Sequence, residues 1–194
     1  MSHNFVTIVS GLPRSGTSLM MQMLAAGGMQ VLTDNRRTAD QHNPRGYFEL
    51  EAVKHTRIDH SWLAQAEGKV VKVVHLLLSH LPTDREYRVI FMQRDLLEAI
   101  ASQRAMLQEQ RRPSAILADS KLAEIFGKQL AEVRQWLSQH PNFQVLYLQH
   151  RDVIDGPLTA AQQIATFLDG DLDPRRMAAA VEPNLYRQRR QQPQ

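Results

Sequence analysis

The sequence contains no cysteine, which excludes disulfide bonds, thiolate nucleophiles and cysteine-ligated metal sites. It also lacks an uninterrupted run of about 18 apolar residues, the length that a membrane-spanning helix needs. The first four residues lead directly into an apolar stretch that begins at Phe5, without the basic segment and cleavage site of a signal peptide. These absences predict a soluble chain without a membrane partner, and we expect a cytoplasmic location.

Aromatic residues and excess charge are also scarce. Only 6% of the residues are aromatic, and 23 cationic side chains exceed 20 anionic ones by only three. Nucleic-acid-binding domains usually carry a larger positive excess with interleaved aromatic residues, so no nucleic-acid partner is predicted. The arginines are clustered, and such basic loops suit a polyanionic cofactor. The clusters lie at residues 36–37, 111–112, 175–176 and 187–190.

No metal site is predicted either, because the histidines have the wrong spacing. His55 and His60 are five residues apart, as are His75 and His80. On a helix this spacing separates two side chains by about 140°. The i, i+4 spacing of a helical zinc site would place them on one face instead.

The apolar periodicity predicts one α/β domain over residues 1–194, with a polar tail at residues 184–194. Strands that alternate with helices imply right-handed crossovers and a mainly parallel sheet, hence a three-layer α/β/α fold with ligand at the carboxyl ends of the strands. We expect strands beginning at Phe5 and over residues 29–32, 69–78, 87–92 and 143–148. Helices are expected after residue 17, over residues 47–66, from residue 95 to 110, and over 119–139 and 174–181. A further helix is expected within residues 152–168, interrupted early by Gly156 and Pro157.

The first strand runs into a glycine-bounded loop and then directly into a helix. Gly11 and Gly16 bracket four residues, and such a turn aims backbone N–H groups and a helix N-terminus at one point, which favours a phosphate. Compared with the P-loop pattern G-x-x-x-x-G-K-[ST], the chain fits at both glycines and at Ser18, but Thr17 replaces the lysine. The cation lies inside the loop, as Arg14.

A second basic motif follows the strand at residues 87–92. Arg94 stands at the end of this strand, and Ser102 comes after seven intervening residues. The planar guanidinium and a hydroxyl can together bind a phosphate monoester. Alone, such a pair is more often a salt-bridged helix start and a solvated serine. The assignment of this pair to a second phosphate follows from the family resemblance described next.

The segment PRSGTS and the strand-Arg-x₇-Ser motif resemble the phosphate-binding motifs of bacterial-type sulfotransferases that use 3′-phosphoadenosine-5′-phosphosulfate (PAPS). The resemblance implies a P-loop-like sulfotransferase fold, a sulfuryl transfer and the product 3′-phosphoadenosine-5′-phosphate (PAP). It extends more weakly over most of the chain, through NPRGYFELE, VLYLQHRDVIDGP and AVEPNLYR. By matching, the 5′-phosphosulfate would be held by Arg14, Ser15, Gly16, Thr17 and Ser18, and the 3′-phosphate by Arg94 and Ser102.

In-line sulfuryl transfer depends on positioning and electrostatics, and Arg14 is the candidate that stabilises the leaving oxygen. The reaction also needs a base for the acceptor's proton. Relatives suggest Glu49 first and Glu51 second, although a solvated carboxylate in a first helical turn is an equal interpretation of Glu49. Cytosolic sulfotransferases use a Lys-x-His motif, but the chain has Lys72-Val-Val-His75, so His75 is expected to be a core or strand-end histidine.

Several points stay open. Many relatives carry a tyrosine after the last strand where this chain has His150, and the basic tail could clamp the cofactor. The acceptor is a small molecule or glycan with a hydroxyl or amine, and residues 33–46 and 110–120 are expected to select it. The alternatives are a P-loop nucleotide-dependent kinase, which magnesium dependence would identify, and a non-catalytic nucleotide-binding module. The sequence does not indicate an oligomeric state.

Overall fold

A computed structural model describes residues 5–40, 43–110, 117–182, 184 and 186. Its centre is a sheet of five parallel strands in the order β2-β3-β1-β4-β5. The predicted parallel α/β class is therefore confirmed. The strands are β1 (Phe5–Gly11), β2 (Gln30–Val31), β3 (Lys69–Lys72), β4 (Glu86–Gln93) and β5 (Phe143–Gln149).

Six α-helices and three 3₁₀ helices surround the sheet in the described part of the chain. None of these helices is long and apolar enough to cross a membrane. The α-helices are α1 (Thr17–Ala26), α2 (Leu96–Glu109), α3 (Asp119–Ser138), α4 (His150–Asp155), α5 (Pro157–Leu168) and α6 (Pro174–Ala179), and the 3₁₀ helices are Glu51–His55, Ser61–Gln65 and His75–His80.

β1 is the central strand, and its alternating side chains separate two cores. Val6 and Ile8 belong to the core that also contains Val133 of α3, whereas Val9 belongs to the core on the other face. That second core is formed with α1, α5 and α6, and Met20 of α1 is fully buried there. The layers are thus helix, sheet and helix, as the sequence predicts.

The prediction of one helix over residues 47–66 is wrong. This segment forms two short 3₁₀ helices, and Ile58 between them is 86% exposed. Phe48 adopts a φ of 53°, which a right-handed helix does not allow. Val53, Trp62 and Leu63 of this segment pack in the core that contains Val133 of α3, and single turns rather than a continuous helical face supply these contacts.

The predicted strand over residues 69–78 is also too long, because β3 ends at Lys72. Lys72 is the last β3 residue in register with β1, and one further bond joins the Val73 N–H to the Val9 carbonyl at 3.0 Å. β1 continues to Gly11 beside β4, whereas the chain after Val73 leaves the sheet and turns into the 3₁₀ helix His75–His80. The carboxyl ends of β1, β3 and β4 meet at one edge of the sheet.

Candidate functional site

The loop between β1 and α1 has a backbone conformation that only particular residues accept. Arg14 has a φ of 67° and Gly16 a φ of 98°, and the Ser15 N–H donates to the Leu12 carbonyl at 3.2 Å. A Cβ on Gly16 would lie 2.4 Å from Cδ2 of His150. Among the described residues no side chain caps the N-terminus of α1. The loop therefore leaves the first N–H groups of α1 suited to an anion.

A cavity of about 480 Å³ opens where the carboxyl ends of β1, β3 and β4 meet. Ser15 does not line it. Ser15 lies instead on a second cavity of about 390 Å³ between α2, α3 and the sheet, and its buried hydroxyl has no hydrogen-bond partner in the described part of the chain. The predicted site residues that line the large cavity are Arg14, Gly16, Thr17, Ser18, Glu49, Arg94 and Ser102.

The two predicted phosphate motifs are in direct contact through Arg14. The Arg14 side chain donates from Nε to Oγ of Ser102 at 3.0 Å, and Arg94 donates from Nη1 to the Arg14 carbonyl at 3.0 Å. Burial lowers the pKa of Arg14, and the neighbouring charge of Arg94 acts in the same direction. The cavity thus concentrates partly buried positive charge, which an anionic ligand would stabilise.

Arg94 also contacts a buried carboxylate that the sequence analysis missed. Its Nε donates to Oε2 of Glu98 at 3.2 Å, and the Tyr186 hydroxyl donates to the same oxygen at 2.5 Å. Burial, together with the hydrogen bond to Glu98, raises the pKa of Tyr186 to about 12. The tyrosine ring meets the His150 ring edge-on at 4.8 Å. His150 therefore lies beside the predicted 3′-phosphate residues and lines the cavity.

Lys72 is a second residue that the sequence analysis did not assign to the site. Its Nζ donates to Oγ of Ser18 at 2.9 Å and to the carbonyl of Tyr47 at 2.7 Å. Burial lowers the pKa of Lys72 to about 8, opposed by the nearby charge of Glu49. The sequence gives no signal for this role, because the predicted strand continues to residue 78 and Lys72 reaches the site only where β3 ends. His75, by contrast, is buried against Gln129 of α3, as its predicted core role requires.

The two candidate bases have different surroundings. Glu49 lines the cavity, and its Oε1 accepts from Nη1 of Arg37 at 2.7 Å. The Arg37 guanidinium in turn lies 3.4 Å from the centre of the Tyr47 ring. Glu51 is outside the cavity, pairs with Lys54 at 2.7 Å and occupies the first turn of a 3₁₀ helix. The environment of a solvated helix-start carboxylate therefore applies to Glu51, and not to Glu49.

Some predictions fall partly outside the described residues. The arginines at residues 111–112 and 187–190 lie there, as does most of the region at residues 110–120 that we expect to select the acceptor. Among the residues that the structure does describe, no three histidine, aspartate or glutamate side chains are grouped as metal ligands.

Several solved sulfotransferase structures share this fold. A mouse sulfotransferase complexed with PAP is 15% identical, with a TM-score of 0.59 over 92% of this chain and 62% of that chain. The sulfotransferase domain from the curacin biosynthetic pathway is 14% identical, with a TM-score of 0.52 over 95% of this chain and 86% of that one. A sulfotransferase from Alicyclobacillus acidocaldarius is 13% identical, with a TM-score of 0.52 over 93% and 87%.

The coverage differs among these structures. The chain spans 62% of the length of the mouse enzyme and of a retinol dehydratase crystallised with androsterone and PAP. A comparison with curated protein sequences gives no significant match. The sequence model of the family described as "Sulfotransferase domain", however, matches residues 6–193. Because this match includes both phosphate motifs and nearly every strand and helix, the chain belongs to the sulfotransferase family.

Proposed function

We propose that this single domain transfers the sulfuryl group of PAPS to a hydroxyl or amine of a small-molecule or glycan acceptor. The observation that carries the proposal is the contact of both Arg94 and Ser102 with Arg14, since it joins the two phosphate motifs at one end of one cavity. Fold neighbours crystallised with PAP support this cofactor. Neighbours crystallised with androsterone or retinol support a small-molecule acceptor. The absence of cysteine supports a cytoplasmic setting.

We assign the cavity to a nucleotide that carries anionic groups at both the 5′ and the 3′ position of its ribose. The N-terminus of α1, without a side-chain cap among the described residues, and the buried cations Arg14 and Lys72 suit the 5′-phosphosulfate. Arg94 and Ser102 suit the 3′-phosphate, because a guanidinium and a hydroxyl supply several donors to phosphate oxygens. In this assignment the bound cofactor replaces the contact between Arg14 and Ser102.

PAPS supplies an activated sulfuryl group, and the residues of the chain position and stabilise the transfer. The acceptor oxygen or nitrogen bonds to sulfur while the bond between sulfur and the 5′-phosphate oxygen breaks. Arg14 and Lys72 stabilise the charge that develops on this oxygen. Glu49 takes the acceptor's proton, and Arg37 holds its carboxylate at the cavity wall.

The first test is the binding of PAP, adenosine 5′-phosphate and ATP, with and without magnesium, measured by calorimetry. We expect PAP to bind most tightly and independently of magnesium. Replacing Arg94 by alanine should weaken PAP binding about 10- to 100-fold, since hydrogen bonds to charged groups contribute roughly 1.5–3 kcal/mol. Arg104→Ala is the matched control, because Arg104 lies on the same helix as Ser102 but pairs with Asp119 outside the cavity.

The result that would contradict the proposal is a preference for ATP with magnesium, which fits a P-loop kinase. Equal binding of PAP and adenosine 5′-phosphate would also contradict it, because the assignment of Arg94 and Ser102 rests on the 3′-phosphate. If PAP binds as expected but no acceptor is sulfated when PAPS is supplied, the chain is a non-catalytic nucleotide-binding module.

A further inference from the structure

Tyr186 brings a remote part of the sequence into contact with the residues assigned to the 3′-phosphate. It is only 8% exposed, lines the large cavity, and donates its hydroxyl to Oε2 of Glu98 at 2.5 Å. The guanidinium carbon of Arg94 lies 5.0 Å from the centre of its ring, and the ring edge contacts His150. The side chain thus contacts Glu98 and two residues that line the cavity, Arg94 and His150.

Glu98 is a carboxylate that is only 5% exposed, within a region that we assign to an anion. A buried carboxylate is costly unless donors compensate it. Oε2 of Glu98 accepts from both Arg94 and Tyr186. Without the tyrosine hydroxyl, Glu98 would depend more strongly on Arg94. The guanidinium would then be held closer to Glu98 and would be less available to a phosphate.

The orientation of Arg94 follows from two of its nitrogens. Nε donates to Glu98 at 3.2 Å, and Nη1 donates to the Arg14 carbonyl at 3.0 Å. Because the guanidinium is planar and its five N–H groups have fixed directions, two such bonds fix where the remaining donors point. The location of the Glu98 carboxylate therefore sets the orientation of the Arg94 guanidinium, and the hydrogen bond from Tyr186 helps to fix that carboxylate.

We propose that Tyr186 is a positioning residue for recognition of the 3′-phosphate, acting through Glu98 on Arg94. The inference rests on the proposed function and deepens it, because it names the contact that separates PAPS from adenosine 5′-phosphosulfate. A tyrosine that merely formed a wall of the cavity would affect both nucleotides equally. A positioning role affects only the nucleotide that carries the 3′-phosphate.

The test replaces Tyr186 by phenylalanine, which keeps the ring and removes the hydroxyl. We expect about tenfold weaker binding of PAP, the effect of one hydrogen bond to a charged group, with the affinity for adenosine 5′-phosphate unchanged. In steady state, KM for PAPS should rise about tenfold, and kcat should stay within about twofold. Tyr147→Phe is the control, because Tyr147 is 39% exposed on β5 and lies outside the cavity.

A double-mutant cycle tests the route through Glu98. In a Glu98→Gln background, where the tyrosine no longer supports a charged carboxylate, Tyr186→Phe should change PAP binding by about twofold or less. An undiminished tenfold effect in this background would overturn the role of Glu98. Thermal unfolding of each variant verifies that it is folded before binding is measured.

The remaining outcomes separate this inference from the proposed function. If the wild type prefers PAP over adenosine 5′-phosphate and Tyr186→Phe keeps that preference, the positioning role is wrong and the proposed function stands. Equal weakening of both nucleotides would likewise overturn the positioning role in favour of ring packing. If the wild type itself shows no preference for the 3′-phosphate, the proposed function fails, and this inference fails with it.

Discussion

At the scale of single residues, Lys72 connects cofactor binding to pH. Its ammonium group is buried between Ser18 and the Tyr47 carbonyl, and burial lowers its pKa from 10.5 to about 8. Between pH 8 and 10.5 the lysine is therefore neutral in the ligand-free folded chain and protonated in the unfolded chain. The contribution of Lys72 to the free energy of unfolding should therefore increase with pH across this window, because the unfolded state binds more protons than the folded state.

We expect a bound polyanionic ligand to raise the pKa of Lys72 again and thereby to protonate it. At pH 8.5 we expect binding of PAP to take up about 0.8 proton, the neutral fraction of a group with a pKa of about 8. Calorimetry in two buffers with different ionisation enthalpies measures this uptake. It should vanish in Lys72→Met and persist in the control Lys69→Met, at the other end of β3. Uptake that survives in Lys72→Met would assign the proton to another group.

The assignment of the base is tested by two neighbouring glutamates. Glu49→Gln should lower kcat about 10²- to 10⁴-fold, the usual contribution of general base catalysis, with little change in the affinity for PAP. Glu51→Gln should have nearly wild-type kinetics, since Glu51 pairs with Lys54 outside the cavity. Steady-state kinetics with PAPS and a responsive acceptor measure both variants. A loss of less than about threefold in Glu49→Gln would remove this residue from the mechanism.

Residues differ in how far the sequence reveals them. Arg14, Arg94 and Ser102 could be found because each has a fixed place relative to a strand and a turn. Lys72 and Tyr186 could not be assigned, because their contacts join segments that are far apart in sequence: Lys72 meets Ser18, and Tyr186 meets Glu98. Ser15 fits the sequence motif, yet the loop directs its side chain toward the second cavity.

At the scale of secondary-structure elements, the loop between β1 and α1 depends on Gly16. Its φ of 98° strains any other residue, and an added Cβ would collide with His150. Gly28 has a similar φ of 106°, but an added Cβ there would meet nothing within 4 Å. A substitution at Gly28 therefore tests backbone strain without a steric clash. We expect Gly28→Ala to cost about 1–2 kcal/mol, the left-handed penalty alone, and to leave PAP binding intact.

Gly16→Ala should cost more stability than Gly28→Ala and should also weaken PAP binding at least tenfold, because His150 and the loop must both move. Urea unfolding gives the free energies, and calorimetry gives the affinities. Equal effects of the two substitutions on PAP affinity would show that the close approach between the loop and His150 does not support the site.

The elements that were predicted correctly are those with a strong local signal. β1, α1, α2 and α3 are bounded by glycines, by the Asp95 cap, or by sustained apolar periodicity. The segment at residues 47–66 contains apolar residues without a sustained helical period, and its two 3₁₀ helices depend on packing against the core rather than on a local sequence signal. β3 leaves the sheet after Lys72, which pairs with Val9, although β1 continues to Gly11. The apolar run of the sequence continues to Leu78, so the end of this strand could not be predicted from the apolar pattern.

At the scale of the whole molecule, the parallel sheet brings residues from distant segments to one edge and stabilises them there. The fold class followed from the alternation of strands and helices, because a crossover of this kind has only one common handedness. The sequence did not reveal which side chains meet at this edge of the sheet, because their positions depend on loop conformations. The cavity contains Arg14, Lys72 and Arg94 together, and their mutual repulsion is a cost that the two cores must offset.

This arrangement predicts that PAP stabilises the whole fold. At a concentration 100 times its Kd, a ligand specific for the native state adds about 2.7 kcal/mol, and for a chain of this size each kcal/mol raises Tm by about 2–4 °C. We therefore expect a rise of roughly 5–10 °C with PAP at pH 7 and a clearly smaller one with adenosine 5′-phosphate at the same concentration. Differential scanning calorimetry measures both. The difference in Tm between the two nucleotides should disappear in Arg94→Ala and persist in Arg104→Ala, because Arg94 lines the cavity with Ser102 and Arg104 does not. Equal shifts by both nucleotides in the wild type would mean that the 3′-phosphate contributes nothing to the stability of the bound fold.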